Sequence, residues 1–289
     1  MAPFSTSPPP VNIDIYNEYG VRVGRIVNNE VVEMNIEEVV ILIEDDAIYI
    51  VMPYYADYTL NFIATGESQL DVTIKDVPAS PDSPFRGRVF ENINLTHGRT
   101  ITGEIVDAPY ARLLVMENGT PIAEINEDGT ETPLHTITGA ITLPNPTHPV
   151  TAQLRRDSVA DPVVSTSTIH VTRANATTPA SFTISAPPGT YTLIFSQPGH
   201  TSFTINNIII PEGGGNINLS QDPRFPQRLP LHPGDVNGDG QVNISDLNLL
   251  LQNWLGNYVN ANFTGDGQIN ISDLNLLLQN WMAVSVVVD

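Results

Sequence analysis

The chain has 289 residues, with 32 acidic side chains against 12 basic ones, a formal net charge of −20 at pH 7, and no cysteine. This length allows two or three domains with cores of their own, and the missing cysteines exclude disulfides and thiolate metal sites. The negative charge argues against nucleic acid and anionic membranes as partners and makes divalent cations the natural counter-ions.

No apolar run approaches the roughly 20 residues that span a bilayer, and the opening MAPFSTSPPP lacks the basic and apolar regions of a secretory leader. The protein is therefore either cytoplasmic or read without its leader. Met-Ala before a Ser/Pro tract looks like a cloning boundary, so the chain is expected to be the C-terminal piece of something longer, with residues 1–10 disordered.

Residues 11–135 are expected to form a β-sandwich. VNIDIY (11–16) and VRVGRIV (21–27) alternate apolar and polar residues around a turn, as a hairpin does. Short runs follow at 39–44, 47–52, 58–64, 69–77, 87–95 and 100–106, with turns every ten or so residues. MNIEEVVILIEDD also fits a helical period, and β-branched enrichment tips it to strand. GRIVNNEV (24–31), after a Tyr-bearing strand, resembles modules on the C-terminal side of secreted bacterial hydrolases.

Residues 136–220 are expected to form a second β-sandwich, with runs at 139–143, 150–156, 167–174, 180–186, 190–196, 200–211 and 216–219. FTISAPPGTYTLIFSQPGHTSFTINNIIIPEGGG resembles the carboxypeptidase-regulatory or transthyretin-like sandwiches of secreted proteins. That resemblance implies a spacer or adhesive role and no active site. QDPRFPQRLPLHP then carries four prolines in thirteen positions, so residues 221–232 are read as a semi-rigid Pro-rich linker.

GDGQVNISDLNLLLQNW at 238–254 returns as GDGQINISDLNLLLQNW at 265–281, offset by 27 and changed only at Val242 and Ile269. In the first copy Asp235, Asn237 and Asp239 take positions 1, 3 and 5 of a twelve-residue loop. Gly240 follows at 6, Gln241 at 7 through its carbonyl, Asn243 at 9 and Asp246 at 12. Oxygen ligands at this spacing with a glycine at the turn are what Ca²⁺ coordination requires, with Asp in place of the usual Glu at 12. The second loop offers Asn262, Thr264, Asp266, the Gln268 carbonyl, Asn270 and Asp273. With two carboxylates instead of three, it is expected to bind more weakly.

Pro230 and Pro233 stand where a helix entering the first loop would end, so each unit is a loop plus its exiting helix. Two such half-hands in tandem behind a Pro-rich stretch resemble dockerin modules, with the resemblance covering 233–283. It implies two calcium ions, a cohesin domain of a scaffoldin protein as partner, and an extracellular, secreted or cell-surface complex of polysaccharide breakdown. Polysaccharide itself is a further candidate ligand.

At 100° per residue, Leu247, Leu250, Leu251 and Trp254 form an amphipathic core stripe, and Trp254 and Trp281 are read as core plugs more than sugar platforms. Leu249 falls on the outer face with Ser245 and Gln252, and Ser272, Leu276 and Gln279 repeat that trio. By the dockerin resemblance the recognition pairs are Ile244 with Ser245 and Ile271 with Ser272. Two such faces related by a pseudo-twofold axis make two opposite docking orientations available. The apolar tail, 284–289, is expected to clasp the module, add a strand to a neighbour, or stay disordered.

Six scattered histidines show no paired metal spacing, and no G-x-S-x-G elbow is present. Glu44, Asp45 and Asp46 read as a solvated turn. Tyr54, Tyr55 and Tyr58 could line a sugar platform, although buried sandwich aromatics are commoner. A glycosidase would need two facing carboxylates. The chain as a whole reads as mainly β with a small α C-terminal module, a non-catalytic calcium-binding assembly protein with spacer sandwiches. The alternatives are a carbohydrate-binding or adhesive module carried by a dockerin, or the C-terminal region of a secreted hydrolase.

Overall fold

The computed structural model describes residues 10–35, 37, 39–44, 47–53, 56–75, 87–105, 111–142, 148–157, 163–170, 178–226 and 228–289. It divides into two compact units, Met1–Leu134 and His135–Asp289. Among the described residues no helix is long and apolar enough to cross a membrane.

The first unit contains β1 (Val11–Asn17), β2 (Arg22–Val27), β3 (Glu30–Met34), β4 (Val40–Glu44), β5 (Ala47–Val51), β6 (Tyr58–Ala64), β7 (Ser68–Lys75), β8 (Gly87–Leu95), β9 (Thr100–Ile105), β10 (Ala111–Glu117), β11 (Thr120–Ile125) and β12 (Glu131–Pro133). Eight strands form one antiparallel sheet in the order β12-β11-β10-β9-β6-β1-β2-β3, and β4-β5 and β7-β8 are separate hairpins. Strict alternation decides which face turns inward: along β6 Tyr58, Leu60, Phe62 and Ala64 are buried and the residues between them are not. Val39 and Ile41 from the first hairpin region and Leu70, Phe90, Ile93 and Leu95 from the second close the same core.

Two tight turns carry the signal that a two-residue hairpin requires. Asn28-Asn29 joins β2 to β3 with φ 51° and 60°, and Asn118-Gly119 joins β10 to β11 with φ 50° and 76°. Positive φ at both central residues matches the turn's twist to that of the strands, and Asn and Gly tolerate it best. Of the tyrosines considered as a sugar platform, Tyr54 and Tyr55 lie outside the described residues, as do Asp45, Asp46 and the side chain of Glu44. Tyr58 is buried in the core.

The second unit contains β13 (His135–Ile141), β14 (Val150–Arg156), β15 (Val163–Ile169), β16 (Ala180–Ala186), β17 (Gly189–Ser196), β18 (Phe203–Ile210) and β19 (Ile217–Asn218). Helices α1 (Ile244–Gln252) and α2 (Ile271–Gln279) and a last strand, β20 (Val286–Val288), follow. Sheets β16-β13-β19 and β15-β14-β17-β18-β20 face each other across one core, which makes a β-sandwich. Phe182, Phe195, Phe203 and Phe225 cluster at its centre, with Phe182 edge-on to Phe195 at 5.3 Å.

Phe225 belongs to the Pro-rich stretch, which therefore is not a free spacer. Phe225, Leu229 and Leu231 are buried in the sandwich core. The Leu229 N–H donates to the Thr142 carbonyl at 3.0 Å, and the Arg224 guanidinium donates to the Asn206 carbonyl at 2.9 Å. Three buried apolar side chains, each contributing about 1.5–3 kcal/mol on burial, hold the segment against the sandwich. Composition predicts the conformation of such a segment but not whether it packs.

Candidate functional site: two calcium-type loops and their helices

No helix enters the first loop. Pro233 pairs instead with His200 in an isolated antiparallel bridge, and the chain turns through Gly234 into the loop. Asn243 caps α1 by accepting from the Ser245 N–H at 2.8 Å, and Asp246 completes a capping box by accepting from the Asn243 N–H at 2.9 Å. Asn270 and Asp273 repeat the device on α2, and the cap dihedrals of the two copies agree within a few degrees, φ −147° and ψ −165° against −146° and −169°.

The duplication is closed reciprocally. Val242 of loop one exchanges hydrogen bonds with Met282 and Ala283, just beyond α2, at 2.9 Å each. Ile269 of loop two exchanges them with Leu255 and Gly256, just beyond α1, at 3.0 and 2.9 Å. Inside lies a small core of Val236, Val242, Leu250, Ala261, Phe263, Ile269 and Leu277.

Within loop one, Asp235 is buried. Its Oδ2 accepts from the Gly240 N–H at 2.9 Å, while its Oδ1 is buried with no hydrogen-bond partner. Burial, and then the charges of Asp246 and Asp239, push its carboxyl up to about 6. A buried, unpartnered carboxylate oxygen among like charges is costly unless a cation answers it. Asp239 accepts from the Gln241 N–H and the Asn237 amide, and Asp246 accepts from the N–H groups of Val236, Asn237 and Asn243. Asp246 thus also ties the start of the loop to the helix that leaves it.

Loop two is satisfied from within. The Thr264 hydroxyl donates to Asp273 at 3.0 Å, and the Asn270 amide donates to Asp266 at 2.9 Å and to the Gln268 carbonyl at 3.1 Å. Hydrogen bonds from the Gln268 N–H and the Asn270 amide hold the Asp266 carboxyl below its ordinary value. Among the described residues, no three His, Asp or Glu side chains are gathered as tightly as a bound metal requires. The donor set of loop one, oxygen only and with one orphaned carboxylate oxygen, fits a hard cation. Loop two shows no orphan of this kind.

The helix faces require a correction. Leu250 is buried and Leu247 and Leu249 pack against the core, with Leu277, Leu274 and Leu276 matching them in the second copy. Leu249 and Leu276 are therefore not on the outer face. Leu251 and Trp254 are not core: Ile244, Leu251 and Trp254 are 57, 49 and 38% exposed, and Ile271, Leu278 and Trp281 are 58, 50 and 39% exposed. The inward face centres between Asp246 and Leu250, because the carboxylate that ties the loop must itself be buried. That turns α1 by roughly 80° relative to a stripe centred on Leu247, and Trp254 lies past the helix end. Ser245, Gln252, Ser272 and Gln279 are exposed.

Three histidines that are far apart in sequence gather beside loop two. The His148 Nε2–H donates to the Asn262 carbonyl at 2.9 Å. The His200 Nδ1–H donates to the Pro198 carbonyl at 2.7 Å, which leaves its Nε2 buried without a partner, and the His232 N–H donates to the Thr201 hydroxyl. Gly199, in the left-handed region at φ +69°, lets the backbone of Asn260 come close. No sequence spacing marks this joint.

Asp57, Asn61 and Glu104 line an open groove in the first unit. Burial raises the Glu104 carboxyl while the nearby Arg112 guanidinium lowers it. Arg112 also pairs with Glu124 at 3.2 Å.

The family model for the dockerin type I domain matches residues 233–280. No curated protein matches the chain. Two similar solved chains come from crystal structures of a type II cohesin–X–dockerin complex of Acetivibrio cellulolyticus, one an N-terminal and one a C-terminal interface mutant. Each is 17% identical and covers 52% of this chain and 97% of its own, with TM-scores of 0.35 and 0.36. Calcium binding is a property of the dockerin type I family. With two loop–helix units, reciprocal closure and no entering helix, residues 233–280 of this chain are a dockerin type I domain.

Proposed function

We propose that this dockerin fastens the chain to a cohesin domain of a scaffoldin, in an extracellular assembly that degrades polysaccharide, with the β units acting as non-catalytic spacers. One calcium ion sits in each loop. Asp235, Asn237, Asp239, the Gln241 carbonyl, Asn243 and Asp246 hold the first, and Asn262, Thr264, Asp266, the Gln268 carbonyl, Asn270 and Asp273 hold the second more weakly. When bound, the ions neutralise the loop carboxylates and fix the helices that follow.

The observation that carries this reading is the pair of outer faces, alike in sequence and in exposure. A core repeats because it must fill the same space, whereas an exposed surface has no such need. Each face presents Ile244, Ser245, Leu251, Gln252 and Trp254, or their counterparts Ile271, Ser272, Leu278, Gln279 and Trp281. Either face serves alone, in one of two opposite orientations.

Titration of the whole chain against a panel of cohesins, with calcium and then with chelator, tests this. Binding should need calcium and survive Ser245→Asp or Ser272→Asp alone but not both together. A chain that binds no cohesin in saturating calcium overturns the reading.

A further inference from the structure

The tail beyond Ala283 touches two places that matter. At one end, Gln241 and Val284 form an antiparallel bridge, closed by Ser285 N–H to the Gly240 carbonyl at 2.8 Å and Val242 N–H to the Ala283 carbonyl at 2.9 Å. Bonds from the flanking residues make Gln241 and Val284 a non-hydrogen-bonded pair, in which each residue's own N–H and C=O turn away from its partner. The Gln241 N–H accordingly turns into the loop, onto Asp239 at 2.9 Å, and the Gln241 carbonyl is directed away from the tail as well.

At the other end the tail belongs to the sandwich. The Ser285 hydroxyl lies 3.0 Å from both the Ser202 N–H and the Ser202 hydroxyl, and the Val286 N–H donates to the Ser202 carbonyl at 3.0 Å. β20 then runs parallel to β18, with Phe203, Thr204 and Ile205 opposite Val286, Val287 and Val288. Val286 and Val288 pack on the sandwich core, and the Asn206 amide donates to Asp289 at 2.7 Å. Loop two has the Ile269 rungs to Leu255 and Gly256 but no third rung matching Ser285 to Gly240.

We infer that residues 284–289 are a positioning strap for loop one: they set the direction of the Gln241 carbonyl and anchor it to the sandwich, so calcium affinity in loop one depends on the pairing of β20 with β18. Ser285 is the joint, with its N–H on the loop and its hydroxyl on the sandwich. This rests on the reading of loop one as a calcium site and adds that the site extends into a neighbouring fold.

The test is calorimetric calcium titration of the whole chain, of a chain ending at Ser285, and of Ser285→Ala. Ending at Ser285 removes β20 and keeps the Gly240 rung. It should weaken loop one about fivefold to tenfold, the equivalent of one or two net hydrogen bonds, and leave loop two unchanged. Ser285→Ala should act in the same direction. Unchanged loop-one affinity, or an equal fall in both loops, overturns the strap. Absence of loop-one binding in the unaltered chain overturns the calcium reading itself. Should the shortened chain not fold, amide exchange in the intact chain decides. Chelation should speed exchange at Val286 and Phe203–Ile205 by at least about tenfold, and unchanged rates there overturn the proposal.

Discussion

His200 of the sandwich meets Phe263 of the second calcium-type loop edge to face, ring centroids 6.1 Å apart and planes at 86°, with both residues buried. Burial, with His148 and His232 nearby, lowers the His200 imidazole from 6.5 to about 4. The unfolded chain takes up this proton near pH 6.5 and the folded chain only near pH 4. The stabilisation is therefore complete above about pH 6.5 and is lost as pH falls through that window, by on the order of 3 kcal/mol. Denaturant unfolding in saturating calcium at pH 7 and pH 4.5 should show this loss in the natural chain and a much smaller one in His200→Gln. Parallel losses would remove His200 as the cause.

Asp235 titrates in the opposite sense. Its carboxyl is raised to about 6, so without calcium the folded module holds a proton that the unfolded chain releases near 3.8, and this contribution to stability fades as pH rises through 6. Calcium must displace that proton. Loop-one affinity should therefore fall between pH 7 and pH 5, with proton release visible in calorimetry across buffers of different ionisation enthalpy. Asp235→Asn should abolish the tighter of the two binding events. Loop two saturating first would contradict the ranking.

Seven buried apolar side chains are too few to order about fifty residues without help. Chelation should reduce the helical circular dichroism while the strand signal of the two β units persists. An unchanged helical signal would mean that packing on the sandwich suffices.

Leu249 and Leu251 are two residues apart on one helix and should behave differently. Leu249→Asp places a charge against the core and should cost about 2–4 kcal/mol in unfolding experiments. Leu251→Asp together with Leu278→Asp should leave stability within about 0.5 kcal/mol and abolish cohesin binding. Equal loss of stability in both cases would put Leu251 back inside.

At Gly199 an added methyl would overlap the Asn260 carbonyl oxygen, whereas at Gly98, also in the left-handed region, it meets open space. Gly199→Ala should cost about 1–3 kcal/mol in thermal unfolding and Gly98→Ala less. A smaller loss at Gly199 would show that the joint yields without penalty.

Much of this was legible in local pattern. The loop spacing, the absent entering helix and most strand runs follow from residue types at fixed intervals. β3, β10, β11 and β12 lie outside the apolar runs, although Asn28-Asn29 and Asn118-Gly119 announce the turns into β3 and β11. The apolar spacing of α1 alone points to the wrong inward face, because buried Asp246 is a loop carboxylate that also sets which way the helix turns. Phe225, Leu229 and Leu231 were hidden by the prolines around them. The meeting of His148, His200 and His232 depends on strand order, which no local spacing encodes.

Because Val242 is closed by the chain beyond α2 and Ile269 by the chain beyond α1, the two 27-residue copies form a ring with two seats and both filled. A third copy appended to such a tandem would find no free edge, and a single copy would leave its loop open. Number is thus written into the backbone bonding: the repeat can be duplicated once and no further within one body, and longer arrays would have to be strings of separate pairs.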